Sequence, residues 1–295
     1  MFYRRKLLLA LLETFENKLS KIELQKYLFL ATVSQKEPVF EFVPYKFGSY
    51  SFTSWSDLAI LCEKGYIKID DNDIIKLSNE SFIKSLKTDD QERLKKLKLK
   101  IHEFKSKRAM MHYVYTSAPY YALNSTVKDN YLSPEEIEEV NKIRPHKSDK
   151  ALCTIGYEGR SIEAYINKLI KNDIRCLVDV RRNPRSMKFG FSKNRLEHIC
   201  NETGITYISI PELGIDSEER EKIDDDNSYK LLFKKYKNET LENTEEQQKL
   251  VIELLKKYKR IALTCFEADI NKCHRKILAD YILDKYSPVD KVIHL

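Results

Sequence analysis

The run Cys176-Leu-Val-Asp-Val-Arg-Arg-Asn-Pro184 decides the fold. It opens as a short apolar, partly β-branched strand and stops abruptly at two arginines and a proline, the pattern of a buried strand ending in a polar loop. Similar strands are expected at Ala151 to Ile155, Ile205 to Ile210, Ile261 to Cys265 and Val289 to Leu295. Helical periodicity fills the gaps. Ile162, Tyr165, Ile166, Leu169 and Ile170 mark one helix, and Leu196, Ile199 and Cys200 a second from about Ser192 to Thr203. A charged stretch after Gly214 reads as mobile and is followed by two helices, and Ile277, Leu278, Tyr281 and Ile282 mark the last helix. Strands alternating with helices predict a mainly parallel, three-layer (Rossmann-like) α/β domain over residues 149–295.

The polar residues fall where such a domain binds ligands. Gly156-Tyr157-Glu158-Gly-Arg follows the first strand, Asp179-Val-Arg181-Arg182 closes the second, Pro211-Glu-Leu-Gly214 follows the third, and Cys265-Phe-Glu267 with Cys273-His274-Arg275 follows the fourth. All four clusters lie at carboxyl ends of strands, the edge that forms a polar crevice in open α/β sheets. Arg181, Arg182 and Arg275 suit a phosphate or carboxylate, because guanidinium forks bind planar oxyanions with two bonds; the competing reading pairs one of them with Asp179 or Glu267 as a structural ion pair. Glu158, Asp179 and Glu267 are candidate general acid or base groups if they share a pocket, and Tyr157 is placed to stack on a base. Cys273 at a helix start beside Arg275 is a candidate thiolate nucleophile. Adjacent Cys273 and His274 point in different directions on a helix, which counts against their acting together. The spacing from Cys265 to Arg275 is also too long for a thiol-phosphatase or rhodanese loop. Cys265, Cys273 and His274 are donors suited to zinc, but no short paired spacing supports a metal, so neither a metal nor a cofactor is assigned.

The first half reads differently. Leu7, Leu8, Leu11, Leu12 and Phe15 give an amphipathic helix. Ser20 and Glu23 then form a capping box for a helix that turns Leu24, Leu28 and Ala31 inward. A third helix is expected from near Ser54, burying Trp55, Leu58, Ala59 and Leu61, followed by a hairpin at residues 66–77. Three helices and a hairpin are the order of a winged helix, here a small α+β domain over residues 1–80. Residues 81–148 read as a helical, basic and tyrosine-rich connector. Within it Lys95, Lys96, Lys98, Lys105, Lys107 and Arg108 crowd one expected helix and are the candidate nucleic-acid contacts; a solvated charged face is the alternative.

Two resemblances follow. Leu24-Gln-Lys-Tyr-Leu-Phe-Leu-Ala with Phe42-Val-Pro-Tyr-Lys-Phe-Gly-Ser-Tyr-Ser and Cys62-Glu-Lys-Gly-Tyr-Ile resembles the Panacea-type antitoxin domain. Thr154-Ile-Gly-Tyr-Glu-Gly-Arg-Ser, Val178-Asp-Val-Arg-Arg-Asn-Pro, Ile205-Thr-Tyr-Ile-Ser-Ile-Pro-Glu-Leu-Gly, Leu263-Thr-Cys-Phe-Glu and Cys273-His-Arg together resemble the family called domain of unknown function 488, over residues 151–285. The second resemblance implies an α/β fold and an intracellular, prokaryotic setting, and brings no mechanism with it.

Bulk properties narrow the partners. With hydrophobic residues at 42% and charged residues at 33% of 295 positions, a packed core is expected and wholesale disorder is not. The net charge of +7 suits a phosphate-bearing partner without demanding one. No run of apolar residues is long enough to span a membrane, and the six cysteines lack a disulfide-scaffold spacing, which fits the cytoplasm. The sequence therefore points to a nucleotide- or nucleic-acid-associated protein that hydrolyses or modifies a nucleotide or base. The alternative is a non-catalytic regulator, with DNA or a protein on the winged helix and a small anion sensed by the α/β domain. A thiol-dependent transferase of rhodanese type is the third option.

Overall fold

Leu7 to Leu12 are all buried to within 1%. A segment apolar on every side belongs inside a core, so α1 (Tyr3–Thr14) is a central helix, buried all round over Leu7 to Leu12 rather than on the one face that an amphipathic helix would bury. These features come from a computed structural model that describes residues 1–216 and 226–295; most of the charged stretch after Gly214 lies outside the described residues. The chain forms two compact units, residues 1–144 and 145–295.

In the first unit, β1 (Lys18–Ser20) leads into α2 (Lys21–Thr32), whose Ser20–Glu23 capping box is present as expected. Between α2 and the next helix the chain folds into a hairpin, β2 (Val43–Tyr45) with β3 (Gly48–Tyr50). Then come α3 (Phe52–Glu63), β4 (Ile67–Ile69) and β5 (Asp73–Lys76), with the small antiparallel sheet in the order β1-β5-β4. α3 begins earlier than expected, because Ser51 rather than Ser54 caps it by accepting the Ser54 amide hydrogen. Its inward face shifts accordingly. Leu58 and Leu61 are buried, Ala59 is exposed and Trp55 half-buried, whereas Asp57 is fully buried between Arg4 and Arg5 of α1. Two cations are what make that buried carboxylate tolerable.

α4 (Thr88–Glu103), α5 (Lys107–Ser117) and α6 (Pro134–Ile143) add Leu94, Leu97, Met110, Val114, Tyr115 and Val140 to the same apolar cluster as α1. Residues 81–144 thus pack on the core of the first unit. The basic run does not lie on one helix as expected. Ser106 caps α5 through the Ala109 amide, so Lys95, Lys96 and Lys98 stand on α4, Lys105 in the break, and Lys107 and Arg108 at the start of α5.

Lys26 of α2 is 1% exposed, and its ammonium donates to the Ser49 carbonyl at 2.9 Å. Burial pushes its pKa down to about 7. Between that value and the ordinary lysine range the unfolded chain holds a proton that the folded chain lacks, so stability rises with pH across the window. Melting of wild type against Lys26→Met, followed from pH 6.5 to pH 10.5, is expected to show wild type gaining about several kcal/mol on the variant as pH rises. A pH-independent difference would mean that Lys26 keeps its charge.

The second unit runs β6 (Ala151–Gly156), α7 (Ile162–Lys171), β7 (Cys176–Asp179), α8 (Lys193–Glu202), β8 (Thr206–Ser209), α9 (Asp226–Lys235), α10 (Glu245–Tyr258), β9 (Arg260–Cys265), α11 (His274–Tyr286) and β10 (Val292–His294). The five strands pair in the order β10-β6-β9-β7-β8, each neighbouring pair parallel. β6, β7 and β9 are buried along their whole length, as the near-continuous apolar runs of a covered parallel sheet require. Cys176, Val178, Ile261 and Leu263 pack against Val251 and Leu255 of α10 and Leu278 and Ile282 of α11. The alternate residues point the other way, where Thr264 receives the Tyr165 hydroxyl of α7. Helices therefore lie on both faces. Among the described residues no helix is long and apolar enough to cross a membrane.

Candidate functional site

Parallel strands put all their carboxyl ends on one edge, and the order of the strands says where that edge opens. After β9 the chain moves towards β6 and β10; after its neighbour β7 it moves away, to β8. Connections that part in this way leave a crevice between the two strand ends. A cavity of ≈ 390 Å³ lies there, lined by Arg181, Arg182, Asn183, Arg185 and Ser186 after β7 and by Cys265 and Glu267 after β9. Its size is within the range of roughly 300–1,000 Å³ of small-molecule sites. The charged residues of its lining are Arg181, Arg182, Arg185 and Glu267, with Arg181 paired to Asp179 and Arg182 to Asp216.

Asp179 ends β7 fully buried, and the strand period places Arg181 on the same face. Its carboxylate accepts the Arg181 backbone amide at 3.1 Å, Arg181 Nε at 2.8 Å and the Tyr207 hydroxyl at 2.6 Å, and it also pairs with Arg181 Nη2. Arg181 Nη1 donates to the Tyr157 hydroxyl and the Phe191 carbonyl at 2.9 and 2.8 Å. Arg181 and Asp179 thus satisfy each other and hold the loop after β7. Burial, followed by the Asp179 charge, pushes the Tyr207 pKa upward, so Tyr207 stays a donor. Tyr157 does not offer an open platform for a base: its ring stacks on Phe191 at 4.3 Å and meets the edge of Phe266 at 5.3 Å.

The loops after β6 and β9 are pressed together. Pairing brings Gly156 opposite Cys265, and a Cβ at Gly156 would sit 1.9 Å from the Glu267 carbonyl oxygen. A Cβ at Gly214 would likewise meet the Arg182 backbone nitrogen at 2.1 Å. Both glycines exist because two backbones touch there. Arg275 is 2% exposed and donates to the Glu267 and Ala268 carbonyls at 2.6 and 3.4 Å. It clamps this loop from within and is not among the groups lining the crevice. Glu158 is exposed and accepts the Ala268 amide at 2.8 Å, closing the loop from outside.

Beneath the loop Cys265, Cys273 and His274 converge, all buried, with their donor atoms within 4.8 Å of one another. His274 Nε2 lies 3.0 Å from the Val180 carbonyl and therefore donates to it, which leaves Nδ1 facing Cys265 Sγ at 3.7 Å. Adjacent in sequence, Cys273 and His274 nevertheless meet, because Cys273 is the extended residue before α11 and only His274 is helical. Burial, reinforced by the Cys265 thiol, holds the Cys273 pKa well above its ordinary value. Burial thus outweighs the helix start and Arg275, against the expectation of a thiolate nucleophile.

Residues 161–282 match a family model described as Domain of unknown function DUF488. The second unit carries a DUF488 domain. No curated protein and no solved structure matched the chain. The matched span of DUF488 holds three of the four strand-end clusters and opens just past the first, Gly156 to Arg160.

At this edge of the second unit the structure gathers the strand-end residues singled out from the sequence in two layers, apart from Glu158, which stands exposed outside the crevice. Arg182, Glu267 and the edges of Tyr157, Arg181 and Cys265 line the crevice. Asp179, Cys273, His274 and Arg275 lie buried, and Gly156 makes the close approach. Arg182 is half-exposed, with Asp216 at 3.2 Å. Sequence reasoning missed Asn183, Arg185, Ser186, Tyr207 and Phe191. The first three extend the arginine pair by a few positions in the same loop, a visible signal, whereas Tyr207 and Phe191 carry no local mark of their role.

Proposed function

We propose that this protein binds a nucleotide, or a nucleic acid through its phosphates, in the crevice between β7 and β9, and hydrolyses or modifies it there. The observation that carries this reading is the cavity at the strand-order switch with Arg182, Arg185 and the edge of Arg181 on one wall and Glu267 on the other. Arg182 and Arg185 are the exposed pair suited to phosphate oxygens. Asn183 and Ser186 add neutral polar groups, and Glu267 is the carboxylate placed to move a proton. The exposed Lys95 and Lys96 of α4 offer an oligonucleotide a separate electrostatic contact on the first unit.

Titration of the full chain with pyrophosphate, nucleoside mono- and triphosphates and a single-stranded oligonucleotide tests it. Arg185→Glu is expected to weaken nucleotide binding by about 10- to 100-fold, the worth of a charge-assisted bond, while Lys95→Glu alters only the oligonucleotide. Nucleotide binding indifferent to Arg185→Glu would defeat the reading.

A second reading takes the first unit, whose order is α1, β1, α2, β2, β3, α3, β4, β5, as a winged helix with a hairpin inserted between its second and third helices. α3 exposes Ala59 and Glu63, keeps Trp55 half-buried and carries no lysine or arginine, which fits a protein partner better than DNA. On this reading the protein is a non-catalytic regulator whose α/β domain senses a small anion.

A further inference from the structure

We infer that Cys265, Cys273 and His274 form a zinc site on the inner side of the crevice, with a fourth position left for Glu267 or a water. Two sulfurs and an imidazole nitrogen gathered within 4.8 Å are the donor set of a Cys2His centre. For zinc–sulfur and zinc–nitrogen bonds of the usual length, a tetrahedral site needs about 3.6 Å between a sulfur and a nitrogen ligand. Cys265 Sγ and His274 Nδ1 are 3.7 Å apart, so these two ligands stand near the required separation already.

The support around the imidazole is of the kind that a metal-binding histidine uses. A backbone carbonyl, that of Val180, takes the Nε2 proton and so fixes the tautomer whose Nδ1 lone pair faces the sulfurs. The Tyr236 ring packs edge-on against His274 at 5.5 Å and holds its orientation. The ligands come from the end of a central strand and the start of α11, two rigid elements rather than a loose loop. Binding displaces the two thiol protons, and a zinc ion with two thiolates and a neutral imidazole is uncharged overall, which suits a buried site.

The site touches the crevice on the reactive side. Cys265 lines the larger cavity, His274 lines a smaller one of ≈ 70 Å³, and Glu267 borders both. Three protein ligands with an accessible fourth position are the arrangement of a catalytic rather than a structural zinc, which supplies an activated water. This inference stands independently of the nucleotide reading, since a zinc site can exist whatever the crevice binds.

The test uses the full chain, stripped of metal by a chelator under anaerobic reducing conditions and titrated with Co²⁺ and then Zn²⁺. One cobalt per chain is expected, with the thiolate-to-cobalt charge-transfer band and the intense visible bands of a tetrahedral sulfur site, bleached on adding zinc. Against a chromophoric chelator, Cys273→Ser and His274→Gln are each expected to bind zinc at least about 10- to 100-fold more weakly, and Cys62→Ser in the other unit to bind it unchanged. Because a buried-site variant can misfold, zinc should also raise the melting temperature of the unmutated chain by mass action. Cobalt bound without a charge-transfer band would overturn the inference, as would a Cys62→Ser chain that no longer binds. A Cys265–Cys273 disulfide in the metal-free chain as isolated would do the same.

Discussion

Asp179→Ala is expected to destabilise the second unit by about 3–5 kcal/mol, the usual effect of removing one partner of a buried ion pair. The carboxylate is fully buried and accepts bonds from the Arg181 amide, the Arg181 guanidinium and Tyr207. Without it Arg181, 5% exposed, keeps its charge with only the Tyr157 hydroxyl and the Phe191 carbonyl as partners. For a unit of this size the melting temperature should fall by roughly 6–20 °C. The double variant Asp179→Leu, Arg181→Met should be less destabilised than Asp179→Ala alone, because it leaves no charge stranded. Calorimetry on the three chains decides it. A loss below about 1 kcal/mol, the worth of a surface pair, would show that water reaches the carboxylate.

Gly156→Ala should do its damage at the site. Its new Cβ would fall 1.9 Å from the Glu267 carbonyl oxygen and 2.8 Å from the carbonyl carbon, both backbone atoms that no rotamer change can move aside. The loop after β9 must therefore shift, carrying Glu267 and breaking the hold of Arg275 on its carbonyls. A stability loss of about 1–3 kcal/mol is expected for such overpacking, together with loss of nucleotide binding well beyond what stability alone explains. Gly159→Ala, whose Cβ would meet nothing within 4 Å, serves as the partner control for crowding, although its positive φ adds backbone strain. Unchanged binding in Gly156→Ala would detach the loop from ligand recognition.

The parallel sheet and its polar edge were legible because the signals are local: β-branched runs, helical spacing between them, and polar residues where each run stops. The strand order was not, since nothing in β6 or β9 announces that they pair and separate β7 from β6. Without that order the switch between β7 and β9 could not be located, nor the crevice distinguished from the layer beneath it. The Asp179–Arg181 pair was readable from the two-residue period of a strand, yet its burial came from Tyr207 and Phe191, one on a neighbouring strand and one on a loop. The misread spots have similar causes. Lysines and arginines are good helix formers, so residues 93–108 looked continuous until Ser106 capped a second helix. The burial of Asp57 has no local signal, because its neutralising arginines lie on α1, more than fifty residues earlier. Cys273 and His274 looked divergent because one residue of extended backbone separates them from the same helical turn.

Hydrogen–deuterium exchange on the full chain, with and without saturating pyrophosphate, asks most directly whether the edge between β7 and β9 is where ligand sits. Slowed exchange concentrated in residues 181–187 and 265–268 is the predicted footprint. Slowing confined to α4 and α5, or none at concentrations where Arg185 should be engaged, would contradict it.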